Sequence, residues 1–386
     1  MDLPLVSPTN GEPLRVVDGK ALLFDGEAHW PYVDGIAYLK VNDLRDQVIH
    51  LLQTGQEHRA LLTLLKEQDR FSPTPPPADA ELGELLATRD TIGLRRAMQL
   101  LNYGPVGDYF AYRWCAPTYL SGLQLLERFA FRSGQPVVEV ACGIGHYLRE
   151  LERIGQSVVG VDIVFSKLWV ARRLLGVRGP LVCGDVERHA LLTTGPARTV
   201  FCHDAFYFFE FKQRALAHLR QQAGAAGRVL IGHIHTDNEG HGAGFALPLR
   251  DYQQMTDATF YDDQSLTSAW YGSGPAESAS AQSLSVAFTE QTAATNGYPL
   301  PAPPAGSLRL NPLLSPHGIV WPSDGWRQEY EGDWSERAGY GLADLLQQPE
   351  LTALYQGGTA CIAQLSADRI QQLYRNRTLL NLPTRW

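Results

Sequence analysis

The sequence has no closely spaced cysteine pair: Cys115, Cys142, Cys183, Cys202 and Cys361 are scattered along 386 residues. A disulfide framework or a thiolate metal site needs paired spacing, so these thiols read as reduced, mostly buried and cytoplasmic. No uninterrupted apolar run approaches the ~18 residues of a membrane helix. The opening "MDLPLVSPTNGEPL" lacks the basic and apolar regions of a secretory signal, and none is expected. Basic clusters are missing too. Arginines occur as local pairs such as Arg172-Arg173 in a chain of formal net charge −8, which argues against a nucleic-acid backbone as the main partner. What is present, 44% apolar and 19% charged residues, is a globular composition, and the length exceeds one ordinary core. Two or three structural units are expected.

Strand and helix signals alternate in one region. From Gln135 to His235 the apolar stretches "PVVEVA", "SVVGVDI", "PLVCGDV", "RTVFCHDA" and "GRVLIGHIH" alternate with the helical "HYLRELERIG", "SKLWVARRLLG" and "FKQRALAHLRQQAG". That alternation predicts an α/β fold, a doubly wound parallel sheet with right-handed crossovers. Ahead of it, "NDLRDQVIHLLQTGQEHRALLTLLKEQD" repeats Leu, Val and Ile at three- and four-residue spacing and predicts helix. "FSPTPPPAD" then breaks it, because successive prolines remove donors and clash with a helical ladder. Two further helical blocks lead into the sheet. Behind the sheet, Ser265 to Ser307 is rich in Ser, Ala, Gly, Pro and Thr and predicts a long loop in which only "LSVAF" reads as strand. The C-terminal end reads as helical up to "LYRNR".

The turn after the first strand raises the question of a cofactor. "VVEVACGIGHYL" sets Gly143 and Gly145 between a strand and an amphipathic helix, where the backbone must turn sharply and let a ligand approach. A dinucleotide site has a third glycine three residues on, for close packing around a pyrophosphate, and Leu148 stands there. An NAD(P)- or flavin-linked oxidoreductase is therefore the second reading. The first is a ligand with an ammonium and a sulfonium, S-adenosylmethionine. Glu139 at the strand end can accept from its amino group, Asp162 on the second strand from its ribose hydroxyls, and Asp185 on the third from its adenine amino group. Ala141 replaces the usual first glycine.

Residues 135–235 resemble the class I, Rossmann-like S-adenosylmethionine-dependent methyltransferases in "VVEVACGIG", "VVGVDI", "VCGDV", "FCHDAFYFF" and "GRVLIGHI". The resemblance implies that Glu139, Ala141, Gly143 and Gly145 face the methionine end, Asp162 and Ile163 the ribose, and Asp185 and Val186 the adenine. It places His203 and Asp204 near the sulfonium. It also implies a lidding helix ahead of the first strand, from which Tyr109 and Arg113 touch the methionine carboxylate; a plain helix–helix contact is the other reading of that pair.

Near the N-terminus, "LRVVDGKALLF" and "WPYVDGIAYL" each hold an Asp-Gly between apolar runs and predict hairpins. The second stretch resembles the zinc-ribbon-like methyltransferase-activator domain, with its Tyr-Pro-x-x-Asp-Gly-Ile-Pro pattern. Where that family has metal cysteines, this chain has Ser7 to Asn10 and Gly26-Glu27, so no thiolate is left for zinc. Such a head would rest on packing and serve protein docking.

For the chemistry, "GHIHTDNEGH" concentrates His233, His235 and His241 beside Asp237 and Glu239. Three readings stay open: a general base or substrate-orienting site, a metal site, and a polar strand end with a solvated turn. His235 is the preferred catalytic candidate, with His233 and His203 behind it, and no metal is assigned. Tyr207 reads as packing over the cofactor, while Trp321, Trp326 and Trp334 are candidates for a substrate pocket. The expected organisation is a β head at 1–42, a helical connector and lid at 43–130, a cofactor domain at 131–250 and a substrate-shaping region at 251–386. The expected function is methyl transfer to a hydroxyl or nitrogen of a small molecule. A non-catalytic cofactor-binding scaffold is the alternative from another class.

Overall fold

The computed structural model describes residues 5–130, 132, 134–193, 195–239, 244–272, 274–290, 297–331 and 345–386. Four short strands come first: β1 (Arg15–Val16), β2 (Leu22–Phe24), β3 (His29–Val33) and β4 (Ile36–Tyr38). Each pairs antiparallel with the next. The turn between β3 and β4 is Asp34-Gly35, at φ of 55° and 75°, the left-handed pair that makes Asp-Gly a hairpin signal. In this cysteine-free head, Asp25 closes the chain on itself. Its carboxylate accepts from Glu27 N–H at 2.9 Å, Ala28 N–H at 2.7 Å and Nε1–H of buried Trp30 at 3.0 Å.

Helices α1 (Asp43–Gln53) and α2 (Glu57–Leu65) follow, then α3 (Asp79–Ala87), α4 (Leu94–Leu100), α5 (Pro105–Tyr112) and α6 (Pro117–Phe129). The proline stretch separates α2 from α3, as its missing donors require. The alternating region then forms β5 (Val137–Val140), α7 (His146–Arg153), β6 (Val158–Asp162), α8 (Phe165–Val170), β7 (Leu181–Cys183), β8 (Thr199–His203), α9 (Lys212–Ala223) and β9 (Arg228–His235). Strands β5 to β9 are all parallel, in the order β7-β6-β5-β8-β9. Both faces are covered. Val138, Val140, Val159 and Val161 point into one hydrophobic layer and Val137 and Val158 into the other, the period of two expected of strands.

The sheet extends past the expected boundaries at 42 and 250. Strand β4 runs parallel to β7 at one edge. At the other edge, beyond α10 (Leu249–Gln253), lie β10 (Thr259–Asp262) and β11 (Ser285–Thr289), with β11 antiparallel to both β9 and β10. Among the described residues the sheet has eleven strands, because an exposed edge of backbone donors and acceptors favours a further strand. "LSVAF" is a strand as expected. Ser265 to Trp270 is not loop but the body of α11 (Asp263–Trp270), where the side chain of Asp262 caps Ser265 N–H at 3.0 Å. The C-terminal part adds α12 (Asp324–Tyr330), α13 (Leu351–Ile362) and α14 (Ala367–Arg375). Its last residues bind back on the molecule. Arg149 donates to the carbonyls of Asn381 at 2.8 Å and Leu382 at 3.2 Å, and Trp386 Nε1–H to Ala111 O at 2.6 Å, which holds α5 against α7. All five cysteines are free and four are buried. Among the described residues no helix is long and apolar enough to cross a membrane.

Helix α7 lies close on β6 although Leu148 replaces the third glycine. The space comes from the strand instead: a Cβ on Gly160 would meet Leu148 Cδ1 at 2.5 Å, Leu181 Cδ2 at 2.8 Å and Cys142 Sγ at 3.1 Å. Gly160→Ala should therefore overpack this contact and cost about 1–3 kcal/mol, measured as a lower urea midpoint at unchanged m-value.

Candidate active site

The order of the sheet reverses between β5 and β8, and a doubly wound sheet leaves its ligand crevice at the carboxyl ends of the strands there. The turn leaving β5 alternates left-handed residues, Ala141 at φ 54°, Gly143 at 54° and Gly145 at 82°. Gly143 N–H donates to Asp162 Oδ2 at 2.8 Å and Val164 N–H to Oδ1 at 2.9 Å, so Asp162 at the end of β6 locks the turn. Each oxygen still has acceptor capacity for a hydroxyl. Glu139 is buried, and burial pushes its carboxyl well above the usual range; Oε2 accepts from Leu148 N–H at 3.1 Å, tying α7 to β5. Asp185, half-buried, accepts from Glu187 N–H at 2.9 Å, with buried Val186 beside it. Ile163 is exposed. Phe110 of α5 roofs the turn, its Cε1 3.0 Å from where a Cβ of Gly143 would stand, and Tyr103 reaches Ser166 Oγ at 3.0 Å.

One strand further along, a second cluster forms. Asp204 N–H donates to Gly232 O at 2.9 Å, continuing the β8–β9 register beyond His203. The pairing of β9 with β11 shifts register opposite Gly232 and His233, and both Asp204 (φ 55°) and His233 (φ 49°) are left-handed. Non-glycine residues held this way cost energy and gather at functional sites. Asp204 Oδ1 accepts from Tyr207 OH at 3.0 Å, and Oδ2 from Tyr109 OH at 2.7 Å and Arg113 Nη2 at 3.1 Å. Burial would raise this carboxyl, but Arg113 and the neighbouring imidazoles outweigh it and hold Asp204 well below the usual range. His233 Nδ1–H donates to Asp263 Oδ2 at 2.7 Å, which turns Nε2 toward Asp204 Oδ1 at 4.0 Å. The ring of His235 lies 4.3 Å from that of Tyr207 and 4.9 Å from that of His233. A carboxylate oxygen of Asp204 and one nitrogen each of His233 and His235 all lie within 4.8 Å of one another.

The expected site residues thus fall into two groups. Glu139, Ala141, Gly143, Gly145, Asp162, Ile163, Asp185 and Val186 surround the β5–β7 strand ends. Tyr109 and Arg113 both bind Asp204, because a buried guanidinium needs its carboxylate. Arg113 also donates to Thr118 Oγ1 and contacts His203 Nδ1 at 3.1 Å. His203 is boxed in, with Tyr147 OH at 3.2 Å from Nδ1 and Ser121 Oγ at 3.2 Å from Nε2. Burial and Arg113 push its imidazole down to about 3, so it is neutral and accepts from Arg113. His241 and Trp334 lie outside the described residues. Trp326 packs on Tyr330 (4.2 Å), with Trp321 at 6.2 Å. The sequence reading missed Asp263 and Tyr330. An Asp-Asp pair opening a helix is visible in the sequence, but nothing local reveals its partner His233 thirty residues earlier.

The donor set tests which cofactor fits. A pyrophosphate needs amide donors and cations, yet Gly143 N–H is committed to Asp162, Lys40 to Glu67 at 2.6 Å and Lys167 to Asp69 at 3.5 Å. An acceptor-rich edge suits a cationic ligand bearing a diol and an amino group, as S-adenosylmethionine does. The family described as methyltransferase domain matches residues 138–231. This is the catalytic domain of an S-adenosylmethionine-dependent methyltransferase. A comparison with curated proteins finds no match. Among solved structures, the TehB-like methyltransferase of Corynebacterium glutamicum is 16% identical over 45% of this chain and 85% of its own, with a TM-score of 0.33. The CcbJ methyltransferase of Streptomyces caelestis is 13% identical over 45% and 94%, with a TM-score of 0.34. These are likenesses over less than half of this chain and nothing more.

Two outcomes follow from the strained turn and the buried imidazoles of this methyltransferase. Ala141→Gly removes a left-handed alanine and should stabilise the fold by about 0.5–1 kcal/mol in urea unfolding, with cofactor affinity kept. His146 and His203, each lowered to about 3 by burial, stay neutral in the fold while the unfolded chain protonates near 6.5. Their contribution is present above that pH and lost as pH falls from 6.5 toward 3. Lowering the pH from 7 to 5.5 should cost about 1 kcal/mol for each histidine, and His146→Gln should reduce that loss in paired unfolding curves.

Proposed function

We propose that this methyltransferase acts on a hydroxyl or nitrogen of a small molecule, received by Asp204, His233 and His235. The observation that carries the reading is the meeting of these three side chains at the ends of neighbouring strands, one strand from the glycine turn. When bound, S-adenosylmethionine supplies an electrophilic methyl on a sulfonium. Glu139, Ala141, Gly143 and Gly145 would frame its methionine end, Asp162 and Ile163 its ribose, and Asp185 and Val186 its adenine. Asp263 fixes the tautomer of His233, so that Nε2 offers a lone pair toward the acceptor. Tyr109, Arg113 and Tyr330, all largely buried around Asp204, enclose the site, and the net charge of −8 also favours a small acceptor over a nucleic acid. Free thiols fit a cytoplasmic setting. The β1–β4 head is proposed as an activator-like module without metal that serves protein docking.

The test pairs binding with transfer. S-adenosylhomocysteine should bind the wild type in calorimetry, and Asp162→Ala should lose at least about tenfold in affinity, the order of one charge-assisted hydrogen bond. His235→Ala should keep that affinity while transfer of labelled methyl into a small-molecule extract falls by about 10²–10⁴-fold. Label arriving only in macromolecules would overturn the small-molecule reading.

A further inference from the structure

We propose that Asp204, His233 and His235 hold a divalent transition-metal ion that takes the methyl acceptor's oxygen or nitrogen as a further ligand. The inference rests on the acceptor site proposed above and names how that site works. Two imidazoles and a carboxylate are a ligand set for zinc and its first-row neighbours, and three protein ligands leave positions open for a substrate. Here one comes from the end of β8 and two from β9, with their donor atoms within 4.8 Å of one another. A closed tetrahedral site with bonds of ~2.0–2.1 Å has ligand atoms ~3.3 Å apart, so loading requires the three side chains to draw in by about an ångström.

Three further features separate this cluster from a chance meeting of polar groups. Each ligand is oriented from outside. Asp263 takes both Nδ1–H and the backbone N–H of His233, at 2.7 and 3.2 Å, which is the carboxylate–histidine arrangement that fixes a metal-binding imidazole. Tyr207 donates to Asp204 Oδ1 and packs its ring on His235, while Tyr109 and Arg113 hold Oδ2. The backbone is left-handed at two of the three ligands, at Asp204 just beyond β8 and at His233 in the register shift of β9 against β11. The charges also suit a dication. Asp204 and Asp263 against Arg113 leave one excess negative charge among buried groups, which a divalent ion over-balances and an ionised acceptor then restores. An acceptor hydroxyl on the ion would lose its proton to solvent, keeping its electron pair on oxygen for the methyl.

The experiment uses the full, tag-free chain, stripped with a chelator and titrated with Zn²⁺, Mn²⁺ and Co²⁺ by calorimetry, with the visible absorption of bound Co²⁺ as the readout of ligand number. One ion per chain is expected. His235→Ala and Asp204→Asn should each weaken it at least tenfold, and Asp263→Asn about 10–100-fold through loss of orientation. His50→Ala, at an exposed helical histidine, should leave it unchanged. Should His235→Ala misfold, the Co²⁺ spectrum of Asp263→Asn decides alone. The proposal is overturned if no ion binds at one per chain, or if affinity is equal in wild type and the ligand variants. S-adenosylhomocysteine binding, measured on the stripped protein, separates the outcomes: intact cofactor binding without metal sinks this proposal only, whereas metal binding without cofactor binding sinks the acceptor reading beneath it.

Discussion

The buried pair of Arg113 and Asp204 is the interaction on which the site depends. Arg113 comes from the turn after α5 and Asp204 from the end of β8, so the pair fastens the helical lid to the sheet at the crevice. Both are almost wholly out of water, and removing either partner would leave an uncompensated charge, at a cost of about 3–5 kcal/mol. Because that cost is high, everything around the pair is arranged to satisfy it. Tyr109 and Tyr207 donate to the carboxylate; Thr118 and His203 take the other guanidinium donors. Those residues in turn shape the wall facing His233 and His235.

The glycine turn has its own constraint, distributed between helix and strand. Leu148 fills the place where a dinucleotide fold puts a glycine, and Gly160 on β6 makes room for it. The turn keeps its tight approach while its amides are spent on Asp162, which leaves an acidic, cation-seeking edge in place of an anion cradle. In the N-terminal head, Asp25 gathers two backbone amides and the indole of Trp30, and β4 joins the edge of the main sheet at β7.

The sequence alone determined the parallel sheet, its helices, the Asp-Gly hairpins and the glycine turn after the first parallel strand. Each is written in local periodicity or in residues whose backbone preferences act over a few positions, such as Asp34-Gly35 and Gly143. It also placed Asp162 and Asp185 at strand ends, because strand length and alternation fix where a strand stops. Only the tertiary structure decided what those elements face. Tyr109 and Arg113 meet Asp204, since a buried charge takes the nearest opposite charge. His203 became a neutral acceptor for Arg113, and Asp263 joined His233 across thirty residues. Pairings of this kind depend on which strands become neighbours, and neighbourhood is set by the whole sheet, whose order no local stretch encodes.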